Sequence, residues 1–191
     1  TFKSFRHEPE KPNSPASNFI ISMATDSSGN IWIAHFGSGL DRFDPVTNTF
    51  THFKNNKADF NSLISDSVFS IMVDHTGKPW IGTNKGLEFF DTKTRKFTHI
   101  QKKINDKPTD ISPAVFALYE DKKGIIWYTT GDFLTGKTGD FDGLFRLDPS
   151  TGKQIFYKAD SLNPESLINS AVSAIFEDSR GVFWVGTAGD G

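Results

Sequence analysis

Four copies of an Asp-x-x-Gly-x-x-Trp motif constrain the fold of this 191-residue chain more than any other feature. All four tryptophans belong to these copies, and successive tryptophans are 48, 47 and 57 residues apart. Similarity at a nearly constant period of this length is typical of repeat architectures. Because the motif occurs in every unit, we expect it to build the unit rather than to form an active site. The copies begin at Asp26, Asp74, Asp121 and Asp178.

Each repeat contains four short apolar segments, named A to D here. Segment A ends at the motif aspartate, B contains the tryptophan, C begins with Gly-Leu, and D follows an Asp-x-x-Thr turn. In the first repeat these segments are 20–25, 30–34, 39–43 and 50–53. None has the ten or more residues expected of a helix, and turn residues bound each one. The pattern predicts four antiparallel β-strands connected in sequence.

The turn residues support this prediction. Asp26 can accept backbone N–H groups two residues further on, and Gly29 can adopt a positive φ without steric cost, as a tight A–B hairpin requires. A small residue stands four positions before each motif aspartate, which predicts that strand A lies innermost in a radial arrangement. The tryptophans are then expected to fill the gaps between neighbouring sheets. The small residues are Ser22, Ser70, Ala117 and Ala174.

Repeated four-stranded antiparallel units of this length predict an all-β fold, the β-propeller. Residues 1–5 match Thr49–Phe53, so they are expected to form the outer strand of a preceding blade, and the sequence stops where a further strand C should begin. We therefore expect 15 strands, or about 3.75 repeats, forming an arc of a larger propeller. The predicted boundaries are 1–18 for the outer strand and linker, 19–66, 67–113 and 114–170 for three blades, the last with a loop insertion at 131–142, and 171–191 for two strands of a further blade.

Composition excludes several classes of function. The net charge of −2 provides no basic surface for nucleic acid or an anionic membrane, and the apolar runs are far shorter than a membrane span. The absence of cysteine excludes disulfides and thiol catalysis. The five histidines lack metal-ligand spacing, and His52 and His99 occupy matching positions on strand D, which predicts a surface role in the blade. No cofactor, metal, nucleic-acid partner or membrane contact is expected within this segment.

Three stretches are similar to a known repeat family. Asp-Ser-Ser-Gly-Asn-Ile-Trp-Ile (26–33), Gly-Leu-Asp-Arg-Phe-Asp-Pro (39–45) and Asp-Ser-Arg-Gly-Val-Phe-Trp-Val-Gly-Thr (178–187) resemble the two-component regulator propeller repeat. The resemblance implies the periplasmic, extracytoplasmic sensor region of a bacterial two-component histidine kinase or a related signalling protein. Many family members are tied to carbohydrate utilisation, so it further implies an unknown small molecule or glycan as the ligand. The resemblance does not imply an enzyme.

The candidate ligand-binding residues lie where the repeats differ. The B–C and D–A connections are expected at one end of the blades, and they vary between repeats, whereas the A–B and C–D turns are nearly alike. Variable loops on a rigid scaffold usually carry binding. Ordinary solvated loop chemistry is the alternative for each residue taken singly. The candidates are His35, Phe36, Asn84, Lys85, Asp132 and Phe133, and no catalytic or metal-binding residue is predicted.

Two sharper motifs do not change this hypothesis. Residues 131–138 match the phosphate-loop pattern, but strand C follows them instead of the helix whose N-terminus would hold the phosphates. Residues 140–143 have the carboxylate spacing of a calcium loop without its downstream glutamate. The Asp-box of sialidases places its Asp and Gly two residues apart, whereas the separation here is three.

Two alternatives to a sensor stay open, and one expectation concerns assembly. The first alternative is a structural or protein-interaction propeller without a small ligand, and the second is a propeller lyase or hydrolase. An arc of blades has open strand edges and apolar blade faces. We therefore expect self-association of the fragment, or dimerisation of the parent receptor.

Overall fold

The computed structural model describes residues 2–101, 103–104, 107–108, 113–131 and 139–188. In these ranges the regular structure consists of strands alone, arranged as three four-stranded antiparallel sheets and a final two-stranded sheet, with one short additional pair. Each four-stranded sheet is ordered as its strands follow in sequence. The chain is thus a partial β-propeller, and the predicted fold class is confirmed.

Strand bounds follow the repeats closely. The first blade contains β1 (Ile20–Thr25), β2 (Ile31–His35), β3 (Gly39–Asp44) and β4 (Thr49–Phe53). The second contains β5 (Val68–Val73), β6 (Pro79–Thr83), β7 (Gly86–Asp91) and β8 (Lys96–His99), and the short pair β9 (Lys103–Ile104) and β10 (Lys107–Pro108) follows. The third contains β11 (Val115–Glu120), β12 (Ile126–Thr130), β13 (Gly143–Leu147) and β14 (Gln154–Tyr157). The last sheet contains β15 (Val172–Glu177) and β16 (Phe183–Thr187).

The contacts divide the chain into two compact units. The first unit is residues 1–84 with 88–99, and the second is residues 85–87 with 100–191. In the first unit β1 lies beside β5, and in the second β11 lies beside β15. Within each unit the A strands of successive blades are therefore neighbours, as expected if strand A lies innermost.

The motif aspartate organises the hairpin between the first two strands of a blade. In the first blade Asp26 Oδ1 accepts the N–H groups of Ser28 and Asn30, both at 3.0 Å, and Oδ2 accepts the indole N–H of Trp32 at 3.0 Å. Gly29 has φ +82°, a conformation that its missing Cβ permits. The predicted turn chemistry is confirmed, and the structure adds a bond from the aspartate to the tryptophan itself.

The tryptophan of the first blade fills an inter-blade gap, as predicted. Trp32 is fully buried, stacks on Phe53 with ring centroids 5.7 Å apart, and lies 5.4 Å from the ring of Phe90 on β7. In the second unit Trp127 is half-buried and contacts Tyr157 and Phe183. These large rings bury much apolar area, and such area supplies most of the stability of a sheet-on-sheet contact.

Two features of the fold differ from the expectation. Residues 2–18 contain no strand, so the predicted outer strand at the start of the chain is wrong. Instead, Phe5 packs edge-on against Phe43 and Phe50, at 4.9 and 5.8 Å. The described residues contain 16 strands where 15 were predicted, because the outer strand does not form and β9 and β10 were not expected.

Candidate functional site

The B–C and D–A connections meet at one end of the first two blades, as the sequence predicts. In the first blade the N–H of Phe36 donates to the carbonyl of Phe19 at 3.4 Å. In the second, the N–H of Asn84 donates to the carbonyl of Ser67 at 3.1 Å. Each bond joins the residue after strand B to the residue before strand A. Phe36 and Asn84 thus occupy the same place in consecutive blades.

Two exposed phenylalanines, Phe19 and Phe36, and the half-buried Phe69 form a group at this end of the first unit, called the aromatic cluster here. Phe36 lies edge-on to Phe19, with centroids 5.8 Å apart, and stacks on Phe69 at 5.9 Å with an interplanar angle of 23°. Phe19 is 59% and Phe36 51% exposed. Aromatic contacts at these distances are each worth about 0.5–1.5 kcal/mol beyond area burial. The rings therefore hold one another in place while presenting apolar surface to solvent.

Sequence reasoning identified only one member of the aromatic cluster. Phe36 was a candidate, whereas Phe19 and Phe69 were not. The sequence does distinguish Phe19 from its counterparts, because the position before strand A holds the small residues Ser67, Ala114 and Ala171 in the other repeats. The repeat therefore does not require a large apolar residue at this position.

Two further candidates at this end of the blades are exposed polar residues. Asn84 and Lys85 form the turn between β6 and β7, and both are exposed. The Asn84 amide can both donate and accept hydrogen bonds. Asp132 and Phe133, the last two candidates, lie outside the residues that the structure describes, as does most of the predicted loop insertion.

His35 is not presented to solvent, which corrects its assignment as a surface candidate. The side chain is fully buried, and Nε2 lies 2.9 Å from Asp41 Oδ2. His35 is the last residue of β2, and the corresponding residues Thr83 and Thr130 are also buried. Both faces of β2 are buried, since residues 32–35 are all buried, so a ligand at the blade end does not meet the imidazole.

A buried polar network surrounds His35. Asp41 is fully buried, and its Oδ2 accepts the N–H of Ala16 at 2.8 Å in addition to the contact with His35. Its Oδ1 lies 2.7 Å from Nδ1 of His52, whose Nε2 lies 2.9 Å from the carbonyl of Pro12. Burial raises the pKa of Asp41, but the hydrogen bonds from His35, Ala16 and His52 outweigh burial and hold that pKa below its ordinary value.

Asp41 on β3 and His52 on β4 face each other, and the two matching positions hold different residues in the other blades. In the second blade they hold Glu88 and His99, with His99 Nε2 3.2 Å from Glu88 Oε2. Burial raises the pKa of Glu88 above its ordinary value, and the hydrogen bonds from His99 and the Ile64 N–H offset this only in part. In the third blade the positions hold Phe145 and Phe156, stacked at 4.4 Å. A carboxylate–imidazole pair is therefore not required to build a blade, and the periodicity of the strands did not reveal it.

A groove of about 620 Å³ lies beside Trp127 in the second unit. Tyr157, Phe183, Leu144 and Leu167 line it together with several polar residues. Trp127 itself contacts Tyr157 of its own blade and Phe183 of the last sheet.

Within the described ranges, no group of three or more His, Asp or Glu side chains is arranged to hold a metal ion. No helix long and apolar enough to cross a membrane occurs among the same residues.

The comparison with known proteins gives one family and several structures. The family model described as "two component regulator propeller" matches residues 14–37 and 166–189. The first segment spans β1 and β2, and the second spans β15 and β16. No curated protein matches the chain.

Among solved structures, two are extracellular domains from B. thetaiotaomicron. One belongs to BT3049, assigned as a hybrid two component system, with 23% identity over 99% of this chain and 28% of that chain, and a TM-score of 0.51. The other belongs to BT4673, described as a one component system for one structure and as a hybrid two component system for another, with 21% identity over 95% of this chain and 27% of that chain, and a TM-score of 0.56. The present chain thus spans less than a third of their length.

A third similar structure is an enzyme. Virginiamycin B lyase from Staphylococcus aureus is 15% identical over 89% of this chain and 49% of that chain, with a TM-score of 0.61. At such identities the likeness extends to the fold alone, because one propeller scaffold hosts many unrelated functions.

Proposed function

We propose that the chain is part of the extracytoplasmic sensor propeller of a bacterial two-component receptor or a related signalling protein, because residues 14–37 and 166–189 match the two component regulator propeller model. The segment binds a ligand in the periplasm and performs no catalysis. The similar extracellular domains from B. thetaiotaomicron support this reading through their shared fold.

The exposed aromatic cluster is the observation that carries the binding role. Apolar surface exposed to water is unfavourable by about 25 cal/mol per Å² relative to burial. The cluster lies at the end of the blades where the repeats diverge, and it contains a phenylalanine that the other repeats replace with Ser or Ala. An exposed apolar group that the fold does not need indicates a contact surface for another molecule.

A glycan is the ligand class that suits this surface. Sugar rings present apolar C–H faces and hydroxyl edges. The half-exposed face of Phe36 can pack against such a C–H face, while an amide such as that of Asn84 can exchange hydrogen bonds with hydroxyl groups. The combination of a flat apolar wall with a few polar groups is typical of small-molecule sites.

The test is a titration of the 191-residue chain with maltohexaose, cellohexaose, xylohexaose and a chondroitin hexasaccharide, followed by NMR and calorimetry. We expect one saccharide to shift the resonances of Phe36 and Asn84. The Phe36→Ala variant should bind it at least about tenfold more weakly, the loss expected for about 1.4 kcal/mol of contact. Val46→Ala is the control, because Val46 is 89% exposed in the C–D turn, away from the proposed site. Shifts confined to other residues, or none with any saccharide, would overturn the glycan proposal.

A protein-interaction propeller is the second candidate, because apolar surface is open in the second unit. Trp184 is 55% exposed, and apolar residues such as Phe183 and Leu167 line the groove beside Trp127. This surface supports self-association of the chain, or dimerisation of the parent receptor. Sedimentation of the chain at tens of micromolar tests the proposal, and a monodisperse monomer would count against it. A lyase or hydrolase has only the shared fold in its favour.

A further inference from the structure

His52 has an acceptor in front of each ring nitrogen. Its Nδ1 lies 2.7 Å from Asp41 Oδ1, and its Nε2 lies 2.9 Å from the carbonyl oxygen of Pro12. A carbonyl oxygen only accepts, so Nε2 must carry a proton. A neutral imidazole has one N–H, and Nδ1 would then face the carboxyl group with a lone pair.

The surroundings of Asp41 decide where the second proton resides. The carboxyl group is fully buried and receives the Ala16 N–H and His35 Nε2 on Oδ2. Hydrogen bonds donated to a carboxylate stabilise its ionised form. With Asp41 ionised, the 2.7 Å contact requires a proton on Nδ1 of His52, so His52 is an imidazolium.

The other histidine of the network cannot take over this charge. His35 Nδ1 is buried and has no hydrogen-bond partner among the residues that the structure describes. A proton on that atom would be a buried donor without an acceptor, which is unfavourable. The positive charge of the network therefore resides on His52, next to the linker, named here as residues 7–18.

Both members of the resulting ion pair hold this linker. Asp41 binds it through the Ala16 N–H, and His52 binds it through the Pro12 carbonyl. We propose that the proton of His52 latches the linker to the first blade, and that the latch opens when this proton is lost. A deprotonated His52 has only one N–H for two acceptors, so it must give up either the linker carbonyl or the Asp41 carboxylate.

Charged and titratable groups on every neighbouring segment bear on this proton. Asp41 on β3 favours the proton on His52, and Lys54, the residue after β4, disfavours it. His7, Glu8 and Lys11 line the small groove between the linker and His52, and Glu8 and Lys11 form an ion pair with each other. His35 on β2 reaches the network only through Asp41.

The balance of these effects favours the charged form. Burial lowers the pKa of His52, but its bonds to Asp41 and to the Pro12 carbonyl outweigh burial and raise that pKa above the ordinary value. A histidine whose pKa is raised by a contact stabilises that contact fully below about pH 6.5, the ordinary value. The stabilisation is lost as the pH rises through the pKa of the latched state.

The second blade provides an internal contrast. His99 occupies the position of His52, but its Nε2 makes both contacts, at 3.2 Å to Glu88 and 3.0 Å to the carbonyl of Ser62. A single proton on that nitrogen can be shared between the two oxygens. The segment before β5, which His99 contacts at the Ser62 carbonyl, therefore needs no doubly protonated histidine ring.

Hydrogen exchange of the 191-residue chain, corrected for intrinsic rates, tests the latch between pH 6 and 9. Above about pH 6.5 the opening constant of residues 7–18 should rise by up to about tenfold per pH unit and then level off. His52→Gln retains a donor near the Nε2 position but cannot titrate, so its opening constant should be independent of pH in this range. His99→Gln is the matched control and should leave the rise intact.

Nitrogen-15 spectra of the imidazole rings give a second readout that needs no variant. At pH 6 both nitrogens of His52 should carry protons, and the loss of one should follow the same midpoint as the exchange of the linker. Linker exchange that is flat with pH would overturn the proposal. So would a His52 ring that is singly protonated at pH 6, or a pH-dependent rise that persists in His52→Gln.

Discussion

The motif aspartate should contribute to stability in proportion to the burial of the tryptophan it binds. The sharpest test is Asp74→Ala in the second blade. Asp74 Oδ1 accepts the N–H groups of Thr76 and Lys78, both at 2.9 Å, and Oδ2 accepts the indole N–H of Trp80 at 2.8 Å. Trp80 is 1% exposed, so water cannot replace the lost acceptor.

The magnitude follows from these contacts. A hydrogen bond to an ionised group contributes about 1.5–3 kcal/mol, and a buried donor left without an acceptor costs about 1–3 kcal/mol. The two turn N–H groups recover part of their loss by binding water. We therefore expect Asp74→Ala to lower the free energy of unfolding by about 3–5 kcal/mol, a large share of the roughly 5–15 kcal/mol of a typical domain.

The same substitution in the last sheet is the matched control. Asp178 has the same place in the motif, but Trp184 is 55% exposed and its indole nitrogen lies 3.5 Å from Oδ2. Solvent can replace that contact, so Asp178→Ala should cost about 1 kcal/mol or less. Urea denaturation followed by circular dichroism gives both values, provided that the slope of the unfolding free energy against urea concentration is the same as in the parent chain.

Equal losses of stability in the two variants would refute the reasoning. Such a result would mean that the hairpin bonds, which both sites share, supply the whole contribution of the aspartate. The bond to the indole would then add nothing, and burial of the tryptophan would be unrelated to the role of the motif.

Two further predictions concern backbone geometry and the buried pair. Gly39→Ala should lower the free energy of unfolding, measured in urea, by more than about 2 kcal/mol, because φ is +85° and a Cβ would collide with the Phe53 carbonyl. Gly37→Ala should lower it by about 1 kcal/mol, because φ is +77° but the space around the added Cβ is open. The triple variant His35→Thr, Asp41→Phe and His52→Phe, which introduces the residues of the third blade, should change the free energy of unfolding by less than about 2 kcal/mol at pH 7. Asp41→Ala alone should lower it by about 3–5 kcal/mol, and thermal unfolding measures both variants.

Local sequence patterns predicted the strands well. The segments 30–34 and 39–43 became β2 (Ile31–His35) and β3 (Gly39–Asp44), within one residue at each end. Such agreement is expected because apolar runs of this length and Asp-Gly turns act over a few residues, independently of the rest of the chain. The division of the chain into blades at residues 66, 113 and 170 stays a prediction.

Features that depend on partners distant in sequence could not be predicted in this way. Strand A carries a register irregularity just before its small residue in every blade, as between Ile20 and Ser22, and no local pattern indicated it. The aromatic cluster joins residues 19, 36 and 69, which come from two different blades. His35 was assigned to the surface because the end of its strand is variable in sequence, although neighbouring elements bury β2 on both faces.

The amino-acid sequence by itself determined the repeat, its four strands and the role of the Asp-x-x-Gly-x-x-Trp motif, because turn geometry and hydrophobic alternation are properties of short segments. Only the tertiary structure decided which of the variable residues reach solvent and which titratable groups meet. Asp41 and His52 lie eleven residues apart, and the linker that they hold comes from before the blade. A buried charge is stabilised by the hydrogen bonds around it, and the packed blade alone brings those donors and acceptors together.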